Sequence, residues 1–169
     1  MMKAKHAGFT LIEGLVTIAV IGLLASIAIP AFTSFLDKYR LRGVTDILSG
    51  DLQWARMEAV RNNQKVYVNF STGSNWCYGM NMNTTCSCAT AGSCTLKQVS
   101  AADYKDVTLT SSSFTTDPYF DPQRGLASSS GAATFQSLQG KQAEVTISLL
   151  GMLNVCTPTG AASAGYPAC

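Results

Sequence analysis

Residues 9–36 read FTLIEGLVTIAVIGLLASIAIPAFTSFL, a run of apolar and small residues holding one charged side chain, Glu13. A run of this length predicts a membrane-crossing helix, since about 20 apolar residues span the hydrocarbon layer. Beyond it the pattern becomes amphipathic. Leu41, Val44, Leu48, Leu52, Ala55 and Ala59 recur at spacings of three and four, the period of a helix with one buried face. Arg40, Arg42, Asp46, Asp51, Arg56 and Glu58 are expected on its other faces. Asn62-Asn63 reads as the stop. Together the two patterns predict one helix from Phe9 to about Asn62, roughly 80 Å long at ~1.5 Å per residue. Pro30 removes a backbone hydrogen bond and crowds the preceding turn, so a bend or a loosened turn is expected there. Gly43 and Gly50 weaken the second half by ~1 kcal/mol each, less than the apolar stripe supplies.

After Asn63 the rhythm is that of strands. Residues 65–70 and 76–80 are rich in β-branched and aromatic types, and 96–99, 107–109, 133–135, 144–149 and 152–156 are further short candidates. Ser, Thr, Gly and Ala stretches separate them, notably 127–133 and 157–165. One long helix followed by several short strands implies an α+β chain, the helix packed on a C-terminal antiparallel sheet or small sandwich. The organisation expected is residues 1–8, a leader; 9–36, the apolar helix; 37–63, the amphipathic half; and 64–169, a β-rich head.

The eight residues MMKAKHAG ahead of the apolar run are polar, cationic through Lys3 and Lys5, and end on Gly8. A secretory signal places its small-residue cut after the apolar stretch. Here the glycine precedes it, so a cut after Gly8 leaves the apolar helix on the product. Glu13 is the other anomaly: a carboxylate in a hydrocarbon-compatible stretch costs several kcal/mol on insertion scales and as a rule has a partner and a function.

Gly8 followed by Phe9-Thr10-Leu11-Ile12-Glu13, with Pro30 further on, resembles the type IV pilins and pseudopilins. The resemblance implies a class III leader removed by prepilin peptidase between Gly8 and Phe9, and N-methylation of Phe9. It implies that Glu13 neutralises the N-terminal amine of a neighbouring subunit, that the partners are other pilins, and that the chain is a single-pass inner-membrane protein before it enters a pilus or periplasmic filament. Glu13 lies four residues past the new terminus, ~6 Å along a helix axis. A stagger of that size brings one chain's amine beside the next chain's carboxylate.

Within that superfamily, the stretch LQWARMEAVRNNQKV from Leu52 to Val66, with its Leu52, Ala55, Arg56, Glu58 and Ala59, the Phe120-Asp121-Pro122-Gln123-Arg124-Gly125 segment and a late strand ending near Gly151 resemble the FimT/GspH-like minor pilins. On their own terms Arg56 and Glu58 read as a solvated helix face, and Asp121 to Gly125 as a turn whose Pro and Gly supply the backbone geometry.

Six cysteines, Cys77, Cys86, Cys88, Cys94, Cys156 and Cys169, all follow the apolar run. An even number in an exported domain points to disulfides. Cys156–Cys169 is the expected bridge for the Gly/Ala/Pro-rich tail, with ~3 kcal/mol of stabilisation in the chain-entropy account, and pilins often carry such a loop. Cys77, Cys86, Cys88 and Cys94 form two more, with Cys86 and Cys88 each joined to Cys77 or Cys94. A four-thiolate zinc site is the rival reading, and its spacing lacks the two-residue gaps of zinc ribbons. No metal or cofactor is expected.

The only histidine, His6, is in the leader, so the processed chain lacks the commonest general base, and no catalytic constellation stands out. A non-enzyme is expected. Formal charge is +2 for the whole chain, and removing Lys3 and Lys5 with the leader leaves it neutral. Three functions follow. The first is a minor type IV pilin that primes or caps assembly. The second is a GspH-like pseudopilin of a type II secretion system. The third is DNA capture, as in some FimT-like pilins, which use a Gly-Arg-x-Arg element. The matching place here is Gly151-Met152-Leu153-Asn154; without those arginines the phosphate contacts that dominate such affinity are missing.

Overall fold

The computed structural model describes residues 9–169; Gly8 and the expected leader lie outside the described residues. A single helix, α1, covers Leu11–Asn62, and the chain divides into two compact units between Leu36 and Asp37.

In the first unit the helix is long and apolar enough to cross a membrane, and none of that span is buried against the rest of the chain. Phe9, Leu11, Ile12, Leu15, Ile18, Leu24, Ile29 and Phe35 are all more than half exposed. Pro30 lies inside the helix, and its carbonyl accepts a 3.0 Å hydrogen bond from the Thr33 hydroxyl. Thr17 and Ser26 make the same three-residue back-bond, to Gly14 and Leu23. These bonds satisfy the hydroxyls within the helix itself, without recourse to water.

In the second unit the amphipathic half of α1 buries Leu41, Val44, Leu48, Leu52, Ala55 and Ala59, each at 0–1% exposure. Asn63 then takes a positive φ of 51° and ends the helix, as an asparagine can in the left-handed region. The sheets are built from β1 Val66–Ser71, β2 Cys77–Met82, β3 Lys97–Ser100, β4 Val107–Ser112, β5 Tyr119–Phe120, β6 Gly131–Ser137, β7 Lys141–Ile147, β8 Leu153–Cys156 and β9 Ala162–Ser163. One sheet has the order β3-β2-β1-β5; the other runs β4-β6-β7-β8, with β9 alongside β7. All pairings are antiparallel except β7 with β9. This is a pilin-like α+β fold.

Val66, Val68, Tyr78, Met80, Leu109, Phe135, Val145 and the helix stripe share one core. Trp76 is fully buried in it, edge-on to Phe135 at 5.1 Å between centroids, with its indole N–H donating to the Val107 carbonyl at 2.8 Å. The bond satisfies the one polar atom that burying a tryptophan brings inside.

Two short strands have no counterpart in the sequence reading. β5 is two residues long and is held by pairing with Val66 and Tyr67. β9 lies in the Gly/Ala tail, whose composition gives no strand signal, and exists because it pairs with Lys141 and Gln142 of β7. β7 also starts and stops earlier than its apolar run, because Ser148 to Met152 forms a tight turn, with the Ser148 N–H donating to Met152 O and the Gly151 N–H to Ser148 O.

Candidate functional site

Phe9 and Thr10 precede the first helical residue, and Glu13 is the third residue of α1. The Glu13 N–H donates to the Thr10 hydroxyl at 3.4 Å, and that hydroxyl lies 3.5 Å from a Glu13 carboxylate oxygen. Thr-x-x-Glu is the capping-box spacing, in which the cap side chain satisfies an otherwise orphaned helix N–H. Thr10 therefore starts the helix and holds Glu13 against its own first turn. Sequence reasoning singled out Glu13 and passed over Thr10, although the three-residue spacing was there to be read. The carboxylate is exposed.

The second half of α1 uses its polar residues in a way the sequence reading did not foresee. Asp51, expected on an outer face, is buried: it accepts 2.7 Å from the Tyr78 hydroxyl and 2.6 Å from the Lys97 ammonium. The position follows from phase, since Asp51 lies three after Leu48 and four before Ala55. Asp37, four before Leu41, is buried for the same reason and accepts from the Ser137 hydroxyl, the Gln139 N–H and the Lys141 ammonium. Burial alone would raise its carboxyl pKa. The hydrogen bonds and the Lys141 charge outweigh it and hold Asp37 below the ordinary carboxylate value. Arg40 pairs with Asp106 on the surface.

Arg56 and Glu58 also depart from the solvated face expected of them. The Arg56 Nε–H donates 2.8 Å to the Gly125 carbonyl, and the Glu58 side chain is only 14% exposed, accepting 2.7 Å from Asn62. Gly125 closes the turn after β5, its N–H donating to the Asp121 carbonyl, and its φ is +64°. Gly151, with φ +69°, lies so close that a Cβ there would stand 2.3 Å from the Gly125 carbonyl oxygen and 3.1 Å from Arg56 Nε. Helix, β5 turn and β7–β8 turn thus meet at Arg56, and only glycine fits the two turns.

The cysteines are joined as Cys77–Cys88, Cys86–Cys94 and Cys156–Cys169. The first staples the loop between β2 and β3 onto β2 and the second closes that loop on itself, while Gly79 leaves the space that the Cys94 sulfur fills. The third closes the tail, which is further held to α1. Arg42 donates to the Gly165 carbonyl and stacks over the Tyr166 ring, and the Tyr166 hydroxyl donates 2.6 Å to Asp46. Burial, and then the Asp46 contact, push the Tyr166 phenol up to about 12. Burial and Asp51 push Tyr78 up as well. Glu144, Cys156 and Cys169 bring potential ligand atoms within 4.8 Å of one another, but both sulfurs are spent on the disulfide.

At the place of the Gly-Arg-x-Arg element, Met152 and Leu153 line an open groove of about 760 Å³ with α1, and three arginines from elsewhere, Arg56, Arg61 and Arg124, line it too. Cations absent from that segment arrive from the helix and the β5 turn.

An exposed apolar helix with a capped N-terminal glutamate, leading into a two-sheet head, defines a type IV pilin-like protein. The family described as "Type II transport protein GspH" matches residues 45–151, and the prokaryotic N-terminal methylation motif matches residues 3–29. The chain belongs to the GspH family. Over 50 residues it is 38% identical to the fimbrial protein EcpC of Eikenella corrodens, a match covering 30% of this chain and 33% of that relative. The chain thus spans about a third of the length of the curated relative it matches. No solved structure matches it.

Proposed function

We propose that this chain is a minor type IV pilin, a structural subunit that primes or caps a pilus. Prepilin peptidase cuts between Gly8 and Phe9, Phe9 is N-methylated, and the chain waits in the inner membrane until it enters the filament at the cell surface. The observation that carries the reading is the contrast along α1. The head buries its apolar stripe completely, whereas residues 9–36 leave theirs exposed with one carboxylate among them. Burying such side chains in a bilayer or a bundle of like helices is worth about 1.5–3 kcal/mol each, and the carboxylate then needs a cation. The α-ammonium of a neighbouring Phe9 supplies one. No part of this role calls for catalysis.

The test is Glu13→Ala in cells. The variant is expected in the membrane fraction, processed and methylated, but absent from sheared filaments; wild-type incorporation would refute the pairing. The GspH match supports a second reading, a minor pseudopilin of a type II secretion filament. Deletion separates the two: loss of twitching motility with normal exoprotein release supports the pilus, and the reverse supports secretion.

A further inference from the structure

We infer that the groove between the last turns of α1 and the β7–β8 turn binds an extended segment of a partner protein that carries both acidic and apolar side chains. Its floor is Met57, Val60, Met152 and Leu153, and its rim carries Arg61 and Arg124. Met57 is 63%, Val60 49% and Met152 60% exposed, and a contiguous exposed apolar surface with a polar rim marks an interaction site. Three arginines and no carboxylate line the groove. The nearest acids are engaged: Glu58 accepts from Asn62 and faces Arg61 at 3.7 Å, and Asp121 accepts from the Arg124 backbone N–H. Arg56 is tied to Gly125 and stiffens the wall. The Arg124 guanidinium has no partner among the described residues, and Arg61 is 77% exposed. Arg124 is free to meet a carboxylate, and Arg61, held only by its long, exposed contact with Glu58, can swing to a second one.

The shape argues for an extended occupant. β8 pairs with β7 along one edge; among the described residues no strand pairs with its other edge, and the tail bridges the chain only at Thr157, just past the end of β8. Leu153, which lines the groove, opens that edge. A segment laid there can take main-chain hydrogen bonds from β8 while alternate side chains point into the groove. Methionine and arginine are also the residue types enriched where proteins meet. A phosphate polymer would satisfy the arginines and leave the methionine and leucine floor uncovered, so a polypeptide fits better than a nucleic acid.

The test uses the full chain reconstituted in phosphatidylcholine nanodiscs and three fluorescein-labelled probes: a peptide alternating glutamate and valine, its lysine–valine counterpart, and a short DNA duplex. The glutamate–valine peptide is expected to bind. Arg124→Glu and Met152→Ser should each weaken it about thirtyfold, the threshold of an interface hot spot, without shifting the head's tryptophan-monitored melt. Equal binding of the lysine–valine peptide, tighter binding of the duplex, no binding of the acidic peptide, or variants that bind like wild type would each overturn the inference.

Discussion

Tyr78 and Asp51 meet across 2.7 Å inside the head, the phenol donating to a carboxylate that also accepts 2.6 Å from Lys97. The contact joins the helix stripe to β2 and β3, and it places a charge where the sequence pattern promises a polar outer face. Asp51 is buried to 9% exposure, whereas the Lys97 side chain is 39% exposed. The pair is therefore half-screened, but the Tyr78 hydroxyl has no access to water.

Removing Asp51 strands both partners. Asp51→Ala is expected to destabilise the head by about 3 kcal/mol, the low end for breaking a buried pair. Tyr78→Phe, which leaves Asp51 its lysine, should cost about 1 kcal/mol, near the net value of one hydrogen bond. Urea unfolding followed by the fluorescence of buried Trp76 checks both. Equal losses for the two variants would mean that Lys97 contributes nothing.

Two glycines should respond in opposite directions. At Gly151 a Cβ meets the Gly125 carbonyl oxygen at 2.3 Å on a backbone with φ +69°. Neither atom can retreat, because Arg56 holds Gly125. Gly151→Ala should therefore cost at least about 2 kcal/mol, combining left-handed strain with a backbone clash. Gly50 is helical and exposed, with nothing within 4 Å of its added Cβ. Gly50→Ala should stabilise by up to about 1 kcal/mol through helix propensity. Thermal melts of the two variants beside wild type read the signs directly.

The long helix and its buried stripe were legible because a 3.6-residue period held from Leu41 to Ala59 leaves little freedom. Seven strands were legible from β-branched and aromatic runs. β9 was not, since Ala162-Ser163 forms a strand only because β8 stops at Glu144 and leaves Lys141 and Gln142 of β7 to be paired. The polar ties of α1 were half-legible. Asp37 and Asp51 fall in phase with Leu41 and Leu48, which marks them as inward, but their partners Ser137, Lys141, Tyr78 and Lys97 lie 27 to 104 residues away. No local pattern carries that information. Arg56 was harder still, because its acceptor is a backbone carbonyl. At the N-terminus the opposite holds: Thr10 and Glu13 are three apart, and the spacing alone names the cap.

Asp37 should give the head an acid limb. Its carboxyl is held below the ordinary value of 3.8 by Ser137, Lys141 and the Gln139 N–H despite burial. A carboxyl with a depressed folded-state pKa stabilises above its unfolded pKa, and that contribution disappears as pH falls through the folded value. Asp37→Asn should therefore be less stable than wild type near neutrality and converge on it below pH 3.8. Chemical denaturation across pH 2–7 measures the gap; a constant difference would show that Asp37 acts through shape and not charge.

The tail offers a titration of its own. Tyr166 has a phenol pushed up to about 12 from 10.0 by burial and by Asp46, so its neutral form is tied to the docked tail. A raised phenol pKa stabilises docking fully below pH 10.0, and the contribution is lost as pH rises through about 12. Cys156–Cys169 closes the loop that carries this residue, with a sequence separation of 13. Replacing both cysteines by serine should cost about 3 kcal/mol in the chain-entropy account. Two outcomes can then be told apart from the tyrosinate absorbance, using Tyr166→Phe to isolate this phenol. If the bridge holds the tail down, the serine variant titrates Tyr166 near the free value. If Arg42, Asp46 and the β9 pairing suffice, the value stays high while the melt drops. The first outcome is expected, because Tyr166 makes its contacts on a partly exposed surface, where one cation–π pair and two hydroxyl bonds contribute about 1 kcal/mol each against the entropy of a freed Gly/Ala chain.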